Sequence, residues 1–300
     1  MAKRTALRNA VEYGAAFLVV GLLAVLPRAA AEILGRGCAR LLDRAVPRLR
    51  RVGMRNLEFA MPAMKPAERA RLIDGVFRSI GRLLVAFAKL PGIGKENVHD
   101  WIRYEGFEHF EEARRRGRGV LFATAHLGNW ELSAFAHALL SRPMYVMVRP
   151  LDNPLIDRLV EARRTLSGNR LVQKKEFLRA ILKALKDNEA AGVLIDQNAS
   201  LDEGIFVDLF GVPACCGTGF AKLAAHSGAA IIPGYALWSE SEKKYILRFY
   251  QPLYATGDAA EDTRLLHRHL EGVIREYPDQ WLWIHRRWKT RPPGSPPLYD

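Results

Sequence analysis

The sequence predicts an α/β fold, a mixed and largely parallel sheet flanked by helices, behind an N-terminal helical segment that associates with a membrane. Three observations carry this. Past residue 118, short apolar runs alternate with stretches of helical period, as strand–helix units require. Before residue 60, a charge-free apolar run is followed by chain dense in arginine. With 300 residues, 49% of them hydrophobic, the chain can bury a large core, which excludes disorder and small disulfide scaffolds.

The first element is the run YGAAFLVVGLLAVL at 13–26, fourteen residues without charge, shorter than the roughly 20 of a perpendicular membrane span. Lys3, Arg4 and Arg8 before it and three alanines at 29–31 resemble a secretory signal. Against that stand Glu12 beside the run, Pro27-Arg28 before the alanines, and eight arginines against two acids in residues 28–55. Positive charge after an apolar segment holds the following chain in the cytosol. A retained anchor, spanning or lying in the interface, is therefore expected, with the chain that follows on the cytosolic side. Arg36, Arg40 and Arg44 with Leu34, Leu41 and Leu42 make the next helix amphipathic. Near anionic lipid each such arginine contributes on the order of 1 kcal/mol. We read residues 1–60 as the anchoring segment and 61–300 as a catalytic domain.

Residues 65–90 have helical period (Leu72, Ile73, Val76, Phe77, Ile80, Leu83, Leu84, Phe87) and stop at Pro91-Gly92. Strand-like runs follow at 120–125, 144–148, 192–195, 229–238 and 245–250. Helix-like stretches lie at 131–140, 154–166, 176–187, 218–227 and 262–277, and RPPGSPPLYD forms an irregular tail.

The net charge of +13 is uneven: +7 lies in residues 1–60, +3 in 285–300, and only +3 in the 224 residues between. That distribution favours a membrane surface, and no nucleic acid partner is expected. Cys38, Cys215 and Cys216 supply neither a disulfide framework nor a zinc spacing, so neither metal nor cofactor is expected.

The most informative segment is RGVLFATAHLGNWELSAFAHALL at 118–140. An apolar strand ends, His126 follows, and Leu127-Gly128-Asn129-Trp130 turns the chain into a helix that begins near Glu131. A carboxylate on one imidazole nitrogen raises the basicity of the other, as a general base for a hydroxyl needs. With eight histidines and 32 acids, about one such His-x4-acid pair arises by chance. Position carries the weight instead, because active-site groups of open α/β sheets gather at the carboxyl ends of strands. Backbone N–H groups near Gly128 and Asn129, or at the helix start, are placed to meet an oxyanion.

ATAHLGNWE, VRPLDNPLIDRLVEARR, LIDQN, FGVPACCGTGFAKLAAHSGAAIIP and WLWIHRRWKTRP, in that order, resemble the bacterial lipid A biosynthesis acyltransferase family, lauroyl and myristoyl transferases related to lysophospholipid acyltransferases. The resemblance runs from about Met54 to Pro292 and implies a glycerolipid acyltransferase-like fold. It also implies transfer of an acyl chain from a thioester, on acyl carrier protein or coenzyme A, to a hydroxyl of an anionic lipid acceptor. On this footing His126 matches the catalytic base and Glu131 its acidic partner. Arg149 and Asn153 fall in the block expected near an acceptor phosphate, and Asp196 and Gln197 at a strand end facing the same cleft. Arg149, before Pro150, also suits phosphate by its own chemistry, since guanidinium binds two oxygens. Cys215-Cys216 departs from the small or hydroxylated residues the family leads one to expect.

Lys174, Lys175, Arg179, Lys183 and Lys186 read either as a docking face for an acidic carrier protein or as a solvated helix face. In WLWIHRRWK at 281–289 the alternation of Trp281, Trp283 and His285 suggests a strand, and the tryptophans and arginines suit contact with a lipid headgroup or acyl donor, core packing, or stacking on single-stranded nucleic acid. Two other functions compete: a thioesterase with Cys215 or Cys216 as nucleophile and His226 near it, and a non-enzymatic basic membrane protein.

Overall fold

Thr5 opens the first helix, its hydroxyl accepting the Arg8 N–H at 3.2 Å, and Pro27 closes it. A computed structural model describes residues 5–173 and 177–299. This helix, α1 (Ala6–Val25), extends beyond the charge-free run to 20 residues, and its mean hydropathy of 1.4 makes it long and apolar enough to cross a membrane. Leu7, Val11, Leu18, Leu22 and Val25, at three-, four- and seven-residue steps, are all exposed along one side, while Val20 and Leu23 pack on Val85 and Ala88. Next come α2 (Arg28–Ala45), α3 (Pro47–Ala60) and α4 (Pro66–Lys89), the last two with proline in the first turn, where its missing N–H costs nothing. Helices α2 and α4 cross backbone to backbone: a Cβ on Gly35 would lie 3.0 Å from the Gly81 carbonyl oxygen, and one on Gly81 2.9 Å from that of Gly35.

The main sheet has seven strands: β1 (Ile102–Glu105), β2 (Val120–Thr124), β3 (Tyr145–Val148), β4 (Arg170–Gln173), β5 (Ala190–Leu194), β8 (Ala230–Ser239) and β9 (Lys244–Phe249). Their order is β1-β9-β8-β2-β5-β3-β4, with β8–β9 antiparallel and every other pair parallel, the mixed and largely parallel sheet the sequence predicts. Helices α5 (Phe107–Arg115), α6 (Trp130–Leu140), α7 (Pro154–Arg164), α8 (Phe177–Lys186), α9 (Gly219–Ser227) and α10 (Ala259–Glu276) flank it. Two further strands, β6 (Gly204–Leu209) and β7 (Val212–Gly217), form a separate hairpin whose turn, Phe210-Gly211, has φ of 56° and 76°, as a two-residue hairpin turn demands.

Residues 281–289, expected as a strand, form a turn-rich strap instead. Trp281, Trp283 and Trp288 are all buried in one apolar cluster with Leu57, Phe77 and Leu209. Trp283 Nε1 donates to the Pro278 carbonyl at 2.7 Å and Trp288 Nε1 to that of Val212 at 3.2 Å. Buried Asn56 on α3 donates to the carbonyls of Trp283 (2.6 Å) and His285 (2.8 Å). Of the roles open to these tryptophans the structure realises packing. An indole can be buried when its N–H finds an acceptor, and here each does.

Candidate active site

His126 lies two residues past the end of β2, and Asp196 two past the end of β5. These strands are parallel neighbours with Thr124 opposite Leu194, and the Ile195 N–H to Thr124 carbonyl bond (2.9 Å) carries the pairing onward. Equal overhangs from level strands bring the two side chains together. His126 Nδ1 is 2.9 Å from Asp196 Oδ1, and Asp196 Oδ2 accepts the His126 amide at 3.0 Å and Trp281 Nε1 at 2.9 Å. Asp196 is 4% exposed. Burial pushes its carboxyl up, but His126 and Trp281 more than offset this and hold it below the usual carboxylate range. For His126, burial lowers the pKa, Asp196 outweighs it, and the net shift is upward, with Glu131 assisting and Arg164 opposing. An ionised Asp196 makes Nδ1 the donor, so Nε2 keeps its lone pair for a proton. Gln197 Nε2 is 3.5 Å from that nitrogen.

The turn after His126 is built from backbone. Gly128 has φ +65°, its N–H donates to the Gln280 carbonyl at 2.9 Å, and the Asn129 N–H donates to that of Ala236 at 2.9 Å. Both amides are thus spent on structure, which removes Gly128 and Asn129 as oxyanion donors. Buried Asn129 also caps α6, its Oδ1 accepting the Leu132 N–H at 3.0 Å. The amides of Trp130 and Glu131, in the first helical turn, have no acceptor among the described residues.

Glu131 does not hydrogen-bond the imidazole. Arg164 at the end of α7 takes both its oxygens, Nε to Oε2 at 2.8 Å and Nη2 to Oε1 at 2.5 Å, and Trp130 Nε1 donates to Oε1 at 3.2 Å. Trp130 in turn meets the His126 ring edge-on, centroids 4.8 Å apart. The geometry therefore corrects the expected pairing: Asp196 orients His126, and Glu131 ties α6 to α7 beneath Trp130. Glu131→Gln, which leaves a largely buried guanidinium without its counter-charge, is expected to cost about 2 kcal/mol and lower Tm by about 5 °C. Arg164→Ala should cost a similar amount and the double variant little more, as thermal melts of the three would show.

A narrow cleft of about 10 Å³, room for about one water, opens at His126, between Val76, Ile80 and Leu83 of α4 and Trp130 and Leu282. A larger cavity of about 250 Å³ lies at the opposite end of the sheet, at the starts of β2, β4 and β5, and holds none of the candidate residues. The His126 imidazole lines the small cleft.

The bacterial lipid A biosynthesis acyltransferase family model matches residues 1–290. This chain belongs to that family. It is 31% identical to the lipid A biosynthesis lauroyltransferase of Escherichia coli K12 over 284 residues, covering 94% of this chain and 92% of the relative. The palmitoleoyltransferase of the same organism is 29% identical over the same shares, and its myristoyltransferase 24% identical over 92% of this chain and 86% of the relative.

In this lipid A acyltransferase the other anticipated residues scatter. Arg149 follows β3, two strands from His126 on the same sheet edge, exposed and without a partner among the described residues. Asn153 is buried elsewhere: its Oδ1 caps α7 through the Leu155 N–H at 3.0 Å, and its Nδ2 donates to the Asn9 carbonyl (3.0 Å) and Glu12 Oε2 (3.1 Å) on α1. Asn153 thus fastens the N-terminal helix, which consumes its polar atoms. Of the basic face on α8, Lys174 and Lys175 lie outside the described residues, and Leu178 on that helix is exposed. Cys215 and Cys216 are fully buried, and His226 is exposed at the end of α9, so neither sulfur has the access a nucleophile needs. Arg164 and the indole of Trp281 escaped the sequence reading. Only the approach of α7 to the start of α6 and the path of the strap reveal them.

Proposed function

We propose that the enzyme moves a fatty acyl chain from a thioester, on acyl carrier protein or coenzyme A, to a hydroxyl of a lipid A precursor, with His126 as general base. The observation that carries this is the imidazole at a strand end and at the cleft, with Nδ1 on buried Asp196. Nε2 takes the hydroxyl proton as the oxygen attacks the thioester carbonyl. The tetrahedral intermediate then expels the thiolate, which recovers the proton from the imidazolium. The amides of Trp130 and Glu131, at the positive end of α6, meet the oxyanion. Glu131 acts by fixing Trp130 and Arg164, and Gln197 flanks the proton-accepting nitrogen. Arg149, exposed at the same sheet edge, supplies charge for an acceptor phosphate.

The same reading places the enzyme on the cytoplasmic face of the cell inner membrane. Its support is the exposed apolar side of α1 and the arginines that follow. Residues 1–60 serve as the anchor and 61–300 carry catalysis.

The pH profile tests the base. Transfer needs neutral His126, whose pKa in the folded protein is raised, so kcat/KM should climb with pH along a limb above the ordinary histidine value. Asp196→Asn removes the group that raises it, and the limb should move to lower pH while the plateau drops. A limb that stays in place would separate this titration from His126 and sink the assignment.

A further inference from the structure

Arg287 is 1% exposed, and among the described residues no carboxylate reaches it. Its guanidinium meets two atoms of β7: Nη1 donates to the Cys215 carbonyl at 2.8 Å, and Nη2 lies 2.7 Å from Cys216 Sγ. A buried cation with only neutral partners is among the costliest arrangements a protein can hold, because nothing replaces the lost hydration of the charge. Cys216 is itself fully buried, and its sulfur is the atom at hand able to become an anion there. His267, buried on α10, is the other titratable neighbour. Burial alone pushes the Cys216 thiol up, but His267 and Arg287 outweigh it and bring it down to about 7. Cys215, next in the chain, is pushed up by its burial.

We propose that Cys216 is the counter-ion of Arg287, a thiolate–guanidinium pair that seals the C-terminal strap onto β7 and so holds Trp281 against Asp196. The thiol proton passes to solvent on folding, and no oxidation or bond to another group is involved. The strap reaches the site directly: six residues before Arg287, Trp281 donates to Asp196, and the next amide, that of Leu282, donates to the His126 carbonyl at 3.0 Å. Cys216 and Arg287 are on this account positioning residues, and the adjacent cysteines have a physical purpose that requires no nucleophilic chemistry.

The S–H stretching band in the Raman spectrum of the full-length protein, at mildly alkaline pH, counts protonated thiols. Cys216 should contribute nothing to this band, so Cys216→Ser should leave it unchanged. Loss of intensity in that variant would mean a neutral thiol and overturn the proposal. A thermal cycle gives an independent check. Cys216→Ser and Arg287→Gln should each lower Tm by several degrees and the double variant by less than their sum, because removing both charges strands neither. Additive losses would overturn the pair. Only a third measurement rests on the acyltransferase reading: kcat in Cys216→Ser should fall about tenfold with acceptor KM unchanged. Unchanged kcat, with the first two results as expected, would leave the ion pair standing and remove its positioning role.

Discussion

Alanine in place of His126 should lower kcat by about 10³-fold, with the protein still folded. A positioned general base contributes about 10² to 10⁴, and the remaining rate comes from binding and from amides that stabilise the oxyanion without help from the imidazole. The fold should survive because Asp196 keeps two of its three donors, Trp281 Nε1 and the amide of residue 126 itself. The stability lost is pH-dependent, with a definite sign. His126 has a raised pKa, so its contribution is complete below the ordinary histidine value and disappears as pH rises through the folded one. Asp196 has a depressed pKa, so its contribution is present above the ordinary carboxylate value and is lost only in strong acid. Wild-type and His126→Ala proteins should thus differ most in Tm on the acid side of neutrality and converge in alkali. A variant that retains wild-type transfer of acyl groups in a reconstituted assay would end the assignment of His126 as base.

The parts of this molecule that were legible in sequence are those whose signal is local. Buried central strands such as β2 and β8 show as continuous apolar runs, and the His126 turn as the junction of a strand and a helix. Strands β1 and β4, IRYE and RLVQ, are four residues long and lie at the two sheet edges, where charged residues interrupt the apolar pattern. Neither was visible, nor was the β6–β7 hairpin. Spacing along the chain offered Glu131 as the partner of His126, yet the carboxylate on the ring comes from 70 residues away. A parallel sheet makes neighbours of residues that no local period connects. The tryptophans misled in another way, since a composition common at membrane interfaces is also what an irregular strap needs to fill a core. Asn153 was anticipated at the acceptor and is instead spent on α1, a contact between residues 141 or more apart that only the fold brings together.

Gly128→Ala should be the most damaging single-methyl change in the chain. A Cβ there would lie 1.9 Å from the Ala236 carbonyl oxygen, which belongs to β8 and already accepts the Asn129 N–H. Neither side can yield cheaply, because β8 is hydrogen-bonded to β2 and β9 and the turn is held by Gln280 and Leu282. The left-handed φ of +65° adds about 1–2 kcal/mol for any residue with a Cβ. Together the strain and the collision should cost more than about 4 kcal/mol, seen as a fall in Tm of about 10 °C. Whatever folds should carry His126 displaced from Asp196, and a shift near 1 Å costs about 10² in rate. Gly211→Ala separates the two causes. Gly211 has a comparable φ of +76°, and a methyl group there would meet nothing within 4 Å, so only the conformational part applies. Its variant should lose about 1–2 kcal/mol and keep full activity. Equal losses at the two positions would show that backbone conformation, and not the close approach of β8 to the catalytic turn, makes glycine necessary at 128.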